Sequence, residues 1–488
     1  MSYAADMRSG TWQADAETGV RYGTLFWNVA LTRLERWILP VCLVMAMALQ
    51  IKQVLHSALA MPLIGLMATL CWTTPTTAFF YIACAQFLPF PEGVALNPAQ
   101  IGVVTWLVVS VVRYRRINLA GLSLLWPVLP WLIWFWLVTG EAIYQPNSEY
   151  FKAITYSVIA CQQVNEAKGR HLKCLLGLGL GCLMVTTAFW AYQLGLGVDL
   201  STWGGERGGY ARLGGVRADA VMIWPPLLMG CFSVLGLTLS AMASGRFPQQ
   251  IQRLKILTVC AFFVAVPPLV ATMTHGAYAG FALMTAFVGA VYLDMKRRKL
   301  FQQRGSSLAP IVLTLLAAGA VVYATDLFKT RSRITALYEY YQRTSDNYGA
   351  AASRSDVWEY SLRTIAQHPL VGVRFNDDPE EIPPEYASFG GYLSHNVFLD
   401  YGRATGLTGM LLVIFFFFQP LVKLWRRSDH WRFLGFYLFH FALLIFWLSL
   451  SFQFYKTFWG FWMLAAMVAA REPVAVPYRR PPPELAPS

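Results

Sequence analysis

Long apolar runs alternate with short polar segments along almost the whole chain. An α-helix needs about twenty mostly apolar residues to cross a bilayer, and many of the runs approach that length. The runs lie near residues 37, 57, 76 and 100, at 119–138, 150–164, 172–197, 220–243, 256–274, 277–293 and 308–324, behind residue 395, and at 433–451 and 457–470. The pattern predicts an all-α polytopic membrane protein with about 12 to 14 transmembrane helices, the lower number applying if two weak runs lie in the interface.

Clusters of arginine and lysine between the runs predict the side of the membrane on which each polar segment lies. When the crossings are counted in order, all of these clusters fall on one side, and cytoplasmic loops carry such an excess. The predicted parts are a cytoplasmic leader (1–36), a transmembrane region (37–324) with an outer loop (198–219), a periplasmic loop with an amphipathic helix (325–394), C-terminal transmembrane helices (395–470) and a cytoplasmic proline-rich tail (471–488).

Composition supports a membrane protein and excludes other classes. Hydrophobic residues make up 56% of the chain and charged residues only 13%, which is too apolar for a soluble domain. A net charge of +13 would suit a protein that binds nucleic acid, but the basic residues lie in short clusters between apolar runs, so we exclude that partner. The 8 cysteines show no CxxC pair, and we expect neither a disulfide framework nor a metal site or cofactor.

A polar segment meets an apolar run at residues 394–409, and a titratable imidazole lies at that boundary. Helical spacing of four, three, four and three places a set of residues on one side of a helix. The set is His395, Leu399, Gly402, Gly406 and Gly409. Glycines on such a face let another helix approach closely, so one interpretation is a packing seam capped by an interfacial histidine. The other is a functional site that uses the imidazole.

Three further polar residues lie beside that face. Asn396 follows the histidine, and Asp400 and Arg403 are spaced to pair at i,i+3 just inside the membrane boundary. Ionisable residues are costly in the membrane and often functional, so all three are candidates for supporting a site.

The outer loop carries Arg207, Arg212 and Arg217 among glycines, directly before an apolar run. One interpretation is a loop whose arginines pair with nearby acidic residues or with lipid headgroups. The other is an anion cradle, because guanidinium groups bind phosphate oxygens bidentately and glycine lets the backbone come close.

Residues 353–369 predict an amphipathic helix on the membrane surface that ends at Pro369. Its apolar positions are Trp358, Leu362 and Ile365, and Arg354 at its start is either a surface charge or another phosphate ligand. Two other histidines compete for a chemical role. His275 lies at a hairpin tip and His368 precedes a proline, positions at which histidine more often forms a structural hydrogen bond.

The boundary segment resembles a known signature. His395-Asn396, then nine residues, then Gly406-Leu-Thr-Gly409 is similar to the His-[Asn/Ser/Gln]-x9-Gly-x-x-[Gly/Thr/Tyr] motif of bacterial O-antigen ligases.

Two upstream segments resemble the wider O-antigen ligase and polymerase superfamily. Ser353-Arg354 with Trp358 is similar to its Ser-Arg-x-x-x-Trp segment, and residues 368–373 are similar to its His-Pro-x-x-Gly-x segment. Arg374 stands where the family commonly has glycine, which predicts a different turn after the proline.

The resemblance implies an inverting glycosyltransferase of the GT-C type in the bacterial inner membrane, with its active site facing the periplasm. The donor would be a glycan on undecaprenyl diphosphate, and the acceptor would be lipid A-core or, in a polymerase, another lipid-linked repeat unit. His395 would engage the acceptor hydroxyl. Arg217 and Arg354 would lead the binding of the diphosphate, with Arg212 and Arg207 as further candidates.

Two other classes stay open. A transporter of lipid-linked oligosaccharides also needs many crossings and a phosphate-binding cavity, although the sequence shows no internal repeat and its polar candidates lie at the outer boundary instead of the midplane. A scaffold for polysaccharide assembly is the third interpretation.

Overall fold

The structure is a computed structural model. It describes residues 31–50, 57–85, 88, 97–115, 119–139, 152, 154–156, 158–160, 162–163, 171–195, 206–207, 210–211, 220–244, 248–298, 300, 308–345, 354–373, 394, 396–427, 430–449 and 456–470. The described parts are almost entirely helical, as the apolar runs predict.

Most helices follow the predicted runs, and one further helix lies at the start of the segment 325–394. They are α1 (Arg33–Gln50), α2 (Ser57–Cys71), α3 (Pro75–Ala85), α4 (Pro98–Tyr114), α5 (Leu129–Thr139), α6 (His171–Gly195), α7 (Ala220–Ser244), α8 (Pro248–Ala271), α9 (His275–Arg297), α10 (Ala309–Ala324), α11 (Thr330–Ser345), α12 (Arg354–Gln367), α13 (Val397–Trp425), α14 (Leu434–Ser449) and α15 (Lys456–Ala470). Short 3₁₀ turns lie at Ala120–Leu125, Leu327–Lys329 and His430–Phe433.

Two details differ from the sequence prediction. The run at 119–138 is not one helix, because Ala120–Leu125 forms a 3₁₀ turn and α5 starts only at Leu129. Pro127, between the two, has no N–H to continue a helical ladder. The outer loop also contains two short antiparallel strands, β1 (Glu206–Arg207) and β2 (Tyr210–Ala211), with Arg207 opposite Tyr210.

The centre of the bundle is α7, which is buried along nearly its whole described length and packs against α6, α8, α9 and α14. Small residues allow these close contacts. A Cβ atom on Gly236 of α7 would lie 2.6 Å from the Cα of Gly435 in α14. Helix packing in membranes depends on such small residues, since lipid tails compete with side chains for apolar contact.

A second group of helices surrounds α13, which packs against α5, α12 and α15. Large aromatic side chains fill the space between them. Phe417 of α13 lies 4.2 Å from the ring of Trp447, and Phe416 stacks in parallel on Trp459 at 6.2 Å. These contacts fix the part of α13 around Phe416 and Phe417 within the bundle.

By length and composition, six helices in the described part can cross a membrane: His171–Ala188, Trp224–Ala243, Ile251–Ala271, Gly276–Arg297, Val397–Trp425 and His430–Leu448. Shorter apolar helices are Leu59–Cys71, Pro75–Ala85, Pro98–Val112, Leu129–Val138, Ala309–Ala324 and Phe458–Ala470. The all-α class is therefore confirmed and a membrane protein is supported, while the total of 12 to 14 crossings and the periplasmic placement of the long loop stay predictions.

The helix predicted after residue 353 is present as α12 and ends before Pro369. Its predicted apolar stripe is only partly right. Ile365 is buried and Trp358 is half-buried, but Leu362 is exposed, and the small polar residue Ser361 takes its place on the buried side. The buried side of α12 is the side that packs against α13.

Candidate functional site

The start of α13 is held by Asn396. Its backbone is extended, with φ −149° and ψ 112°, and its side-chain oxygen accepts hydrogen bonds from the N–H groups of Phe398 at 3.0 Å and Leu399 at 3.2 Å. Asparagine is among the best residues for this capping role, because it satisfies N–H groups that have no partner within the helix. The predicted supporting residue Asn396 therefore has a structural task.

Asp400 holds the chain segment in front of the helix. Its Oδ1 accepts hydrogen bonds from the backbone N–H of Ser394 at 2.7 Å and from the Ser394 hydroxyl at 2.8 Å. The same hydroxyl lies 3.0 Å from the carbonyl of Asn396. All three residues are buried, so these bonds form a polar cluster shielded from solvent. We call Ser394, Asn396 and Asp400 the N-terminal cluster.

Trp358 connects this cluster to α12. Its indole N–H donates a hydrogen bond of 2.9 Å to the carbonyl of Ser394. The two helices approach closely here, since a Cβ atom on Gly402 would lie 2.7 Å from Cδ1 of Ile365. The predicted packing role of Gly402 is thus confirmed, and Trp358 has a hydrogen-bonding role that the sequence analysis did not assign.

The helix α13 is broken at Gly406. That residue has φ 74° and ψ 178°, a backbone conformation that residues other than glycine rarely adopt. The prediction that one continuous helical face runs from residue 395 to residue 409 is therefore wrong in geometry. The prediction from residue spacing holds only for an unbroken helix. The kink at Gly406 changes the direction of the helical segment that follows it.

The turn at residues 368–373 fills the break. The carbonyl of Pro369 accepts a hydrogen bond of 2.7 Å from the N–H of Leu407, and the N–H of Val373 donates one of 2.9 Å to the carbonyl of Arg403. Both are backbone groups that the broken ladder leaves without helical partners. We call residues 368–373 the inserted turn.

Two more features secure this joint. Gly372 has φ 66°, and a Cβ atom there would overlap the backbone of residues 403–406. From the other side, the indole N–H of Trp134 in α5 donates a hydrogen bond of 2.9 Å to the carbonyl of Thr405. Helices α5, α12 and α13 and the inserted turn therefore meet around a single glycine.

The charged residues of this region lie inside the protein. Asp400 is 5% exposed and Arg403 is 3% exposed, and they are of opposite sign and about one helical turn apart. Buried charges need hydrogen bonds or a countercharge, and the bonds from Ser394 supply part of that need for Asp400. In the part of the chain that the structure describes, no group of three His, Cys, Asp or Glu residues is arranged to hold a metal ion.

The other predicted site residues are described only in part. His395, Arg212 and Arg217 lie outside the described residues, as does Arg374. For Arg207, Arg354 and His275 only the backbone is described, in β1 and at the first positions of α12 and α9. The region brings together Asn396, Asp400 and Arg403 with three residues to which the sequence analysis gave no site role, namely Ser394, Trp134 and Gly372.

A signal for the missed contacts was present in the sequence. The His-Pro-x-x-Gly-x segment and the Gly-x-x-Gly segment each contain the glycine that the joint requires, Gly372 and Gly406. The sequence analysis singled out both segments, but nothing in the sequence indicated that they contact each other.

A search of curated proteins finds no match. A family model described as O-antigen ligase matches residues 260–414, a range that includes α9 to α12, the inserted turn and the broken start of α13. The match supports a relation of this part of the chain to the O-antigen ligase and polymerase superfamily of membrane glycosyltransferases.

Proposed function

We propose that the protein is a membrane glycosyltransferase of the O-antigen ligase type. It transfers a glycan from undecaprenyl diphosphate to a sugar hydroxyl of lipid A-core or a similar acceptor, on the periplasmic face of the bacterial inner membrane. The observation that carries this proposal is the family match over residues 260–414, within which two motif segments far apart along the chain meet at Gly406.

In this proposal His395 removes the proton from the attacking hydroxyl. An imidazole with an unperturbed pKa near 6.5 suits that task at neutral pH. Ser394 and Asn396 precede and follow His395 in the chain. Hydrogen bonds within the N-terminal cluster and from Trp358 fix them in place. A base must be held within hydrogen-bonding reach of its proton, and a fixed backbone on both sides supports that requirement.

The donor needs little activation beyond its own chemistry. A diphosphate is a good leaving group, so the protein mainly has to stabilise the charge that grows on it. Arg217 and Arg354 are proposed to do this, with Arg212 and Arg207 as further candidates, because guanidinium groups bind phosphate oxygens through two bonds. A single displacement by the acceptor hydroxyl then inverts the anomeric carbon.

Replacing His395 tests the proposed base. We expect His395→Ala to reduce glycan transfer by about 100-fold or more, because general base catalysis commonly contributes that much. The measurement is product formation by purified, reconstituted protein with a labelled lipid-linked donor. His430→Ala is the matched control, since His430 lies beyond the opposite end of α13 and should keep full activity. Near-normal transfer by His395→Ala would remove the residue from its proposed role.

Replacing arginines tests the proposed diphosphate site. We expect Arg217→Ala and Arg354→Ala to raise KM for the donor, and Arg→Lys variants to recover activity only partly, because lysine lacks the bidentate geometry. Arg363→Ala is the control for Arg354, since Arg363 lies on the same helix, is exposed and pairs with Glu359. An unchanged KM for the donor in both alanine variants would exclude Arg217 and Arg354 from the diphosphate site.

A polymerase is the second candidate, because the superfamily includes enzymes that join lipid-linked repeat units. Offering core oligosaccharide and lipid-linked repeats in parallel separates the two acceptors. The same assay tests the transporter interpretation, in which the lipid changes leaflet without a new glycosidic bond. A protein that does neither would fit the scaffold interpretation.

A further inference from the structure

The tip of the inserted turn carries two large apolar side chains that are more than half exposed. Leu370 is 68% exposed and Val371 is 51% exposed. Turns that face water usually carry polar or small residues, so this composition indicates a different surrounding.

The position of the turn along α13 indicates what that surrounding is. Residues 404–422 contain no charged residue and lie between Arg403 and Lys423. At 1.5 Å per residue this stretch is about 28 Å long, close to the hydrocarbon thickness of a bilayer. The inserted turn is hydrogen-bonded to α13 at Arg403 and Leu407, so it lies where the uncharged stretch begins.

The exposed apolar surface of the turn continues onto α13. Leu407, Leu411 and Phe415 follow one another at intervals of four residues, lie on one side of the helix and are 40%, 54% and 45% exposed. Leu407 donates its N–H to Pro369, the residue that precedes Leu370. The exposed apolar side of this candidate membrane-crossing helix therefore begins next to the turn that carries Leu370 and Val371.

We propose that the inserted turn is a membrane anchor, in which Leu370 and Val371 enter the acyl chains of the adjacent leaflet. The anchor fixes the depth at which the break at Gly406 lies. It thereby sets the height of the first part of α13 and of the N-terminal cluster relative to the membrane surface. The proposal does not depend on the reaction that the protein catalyses.

Site-specific fluorescence in vesicles tests the anchor. Leu370→Cys is labelled with the environment-sensitive dye NBD in a background with Cys161 and Cys260 replaced by serine. Cys260 is exposed, Cys161 lies outside the described residues, and the other cysteines are buried. Gln367→Cys is the matched control, because Gln367 is exposed on α12 three residues earlier. Both proteins are reconstituted into phosphatidylethanolamine and phosphatidylglycerol vesicles, with and without a doxyl-labelled lipid.

The expected result is a blue-shifted emission at position 370 that shallow doxyl lipid quenches and aqueous iodide does not, with the opposite quenching at position 367. Val371→Cys should behave like Leu370→Cys and serves as the second variant if the first is poorly folded. Equal quenching by iodide at positions 370 and 367 would place the turn in water and overturn the proposal. Shielding from both quenchers would mean that protein covers the tip, from this chain or a second copy, and would overturn it as well.

Discussion

At the residue scale, the N-terminal cluster shows how a buried carboxylate is used. The sequence predicts that Asp400 can pair with Arg403, and in the structure the Asp400 carboxylate accepts two hydrogen bonds from Ser394. The carboxylate thus fixes the backbone immediately before α13. A residue that looks catalytic by its charge has a positioning contact in the structure.

Replacing Asp400 should destabilise the protein and impair the site. We expect Asp400→Ala to cost about 1–3 kcal/mol, because the buried N–H and hydroxyl of Ser394 lose their acceptor. Asp400→Asn should cost less, since the amide oxygen still accepts. The measurement is the midpoint of thermal unfolding in detergent. Glu359→Ala removes an exposed carboxylate that pairs with Arg363 and should change stability by less than about 1 kcal/mol. An equal effect of the two alanine variants would contradict the argument.

At the scale of the element, α13 is two helical segments joined by a break. Its N-terminal segment carries the cluster, and its C-terminal segment provides the uncharged stretch. Breaks inside membrane helices need partners for the freed backbone groups, and these come from the inserted turn and from Trp134. The segment that resembles the O-antigen ligase motif is thus explained in part as the sequence that builds a helix break whose backbone groups have partners.

The joint predicts a sharp sensitivity at Gly372. We expect Gly372→Ala to destabilise the protein by roughly 2 kcal/mol or more, because the positive φ is unfavourable for alanine and its Cβ would overlap the backbone of α13. Gly319→Ala in α10 is the control. That position has open space around it and helical geometry, so alanine should be neutral or stabilise by up to about 1 kcal/mol. Unfolding midpoints measured side by side decide the matter, and a tolerated Gly372→Ala would contradict the description of the joint.

At the scale of the whole molecule, a buried ion pair connects α1 to the central bundle. Nζ of Lys173 in α6 lies 3.3 Å from Oε2 of Glu35 in α1, and the side chains are 3% and 1% exposed. Glu35 also accepts a hydrogen bond of 2.7 Å from the N–H of Thr32. The pair fixes how α1 docks, because either charge alone would be buried without its countercharge.

Removing one partner of this pair should destabilise the protein more than removing the second partner afterwards. We expect Lys173→Ala to destabilise the protein by about 3–5 kcal/mol, as for other buried pairs that lose one partner, and the double variant with Glu35→Ala to cost less than the sum of the single changes. Arg298→Ala is the control, because Arg298 pairs with Asp294 at 2.8 Å on the surface and should contribute less than about 1 kcal/mol. A double-mutant cycle on unfolding free energies gives the coupling, and simple additivity would contradict it.

Much of the helical framework was predictable because each apolar run carries its own signal. The bounds of α6, α7, α10 and α15 differ from the predicted runs by only a few residues. The split before α5 was missed although Pro127 marked it, since hydropathy alone does not distinguish a helix from a 3₁₀ turn. For the candidate site, the sequence singled out Asn396 and Asp400 as polar residues near a boundary, and only the structure showed their hydrogen-bond partners.

The membrane class and the positions of most helices follow from the amino-acid order, because a segment that enters lipid must satisfy its backbone groups within itself. The joint at Gly406 does not follow from it. Trp134, Trp358, Gly372 and Gly406 are far apart along the chain, and each is ordinary in its local context. Their meeting depends on how α5, α12 and α13 pack, and that packing decides which glycine breaks the helix and which indole supports it.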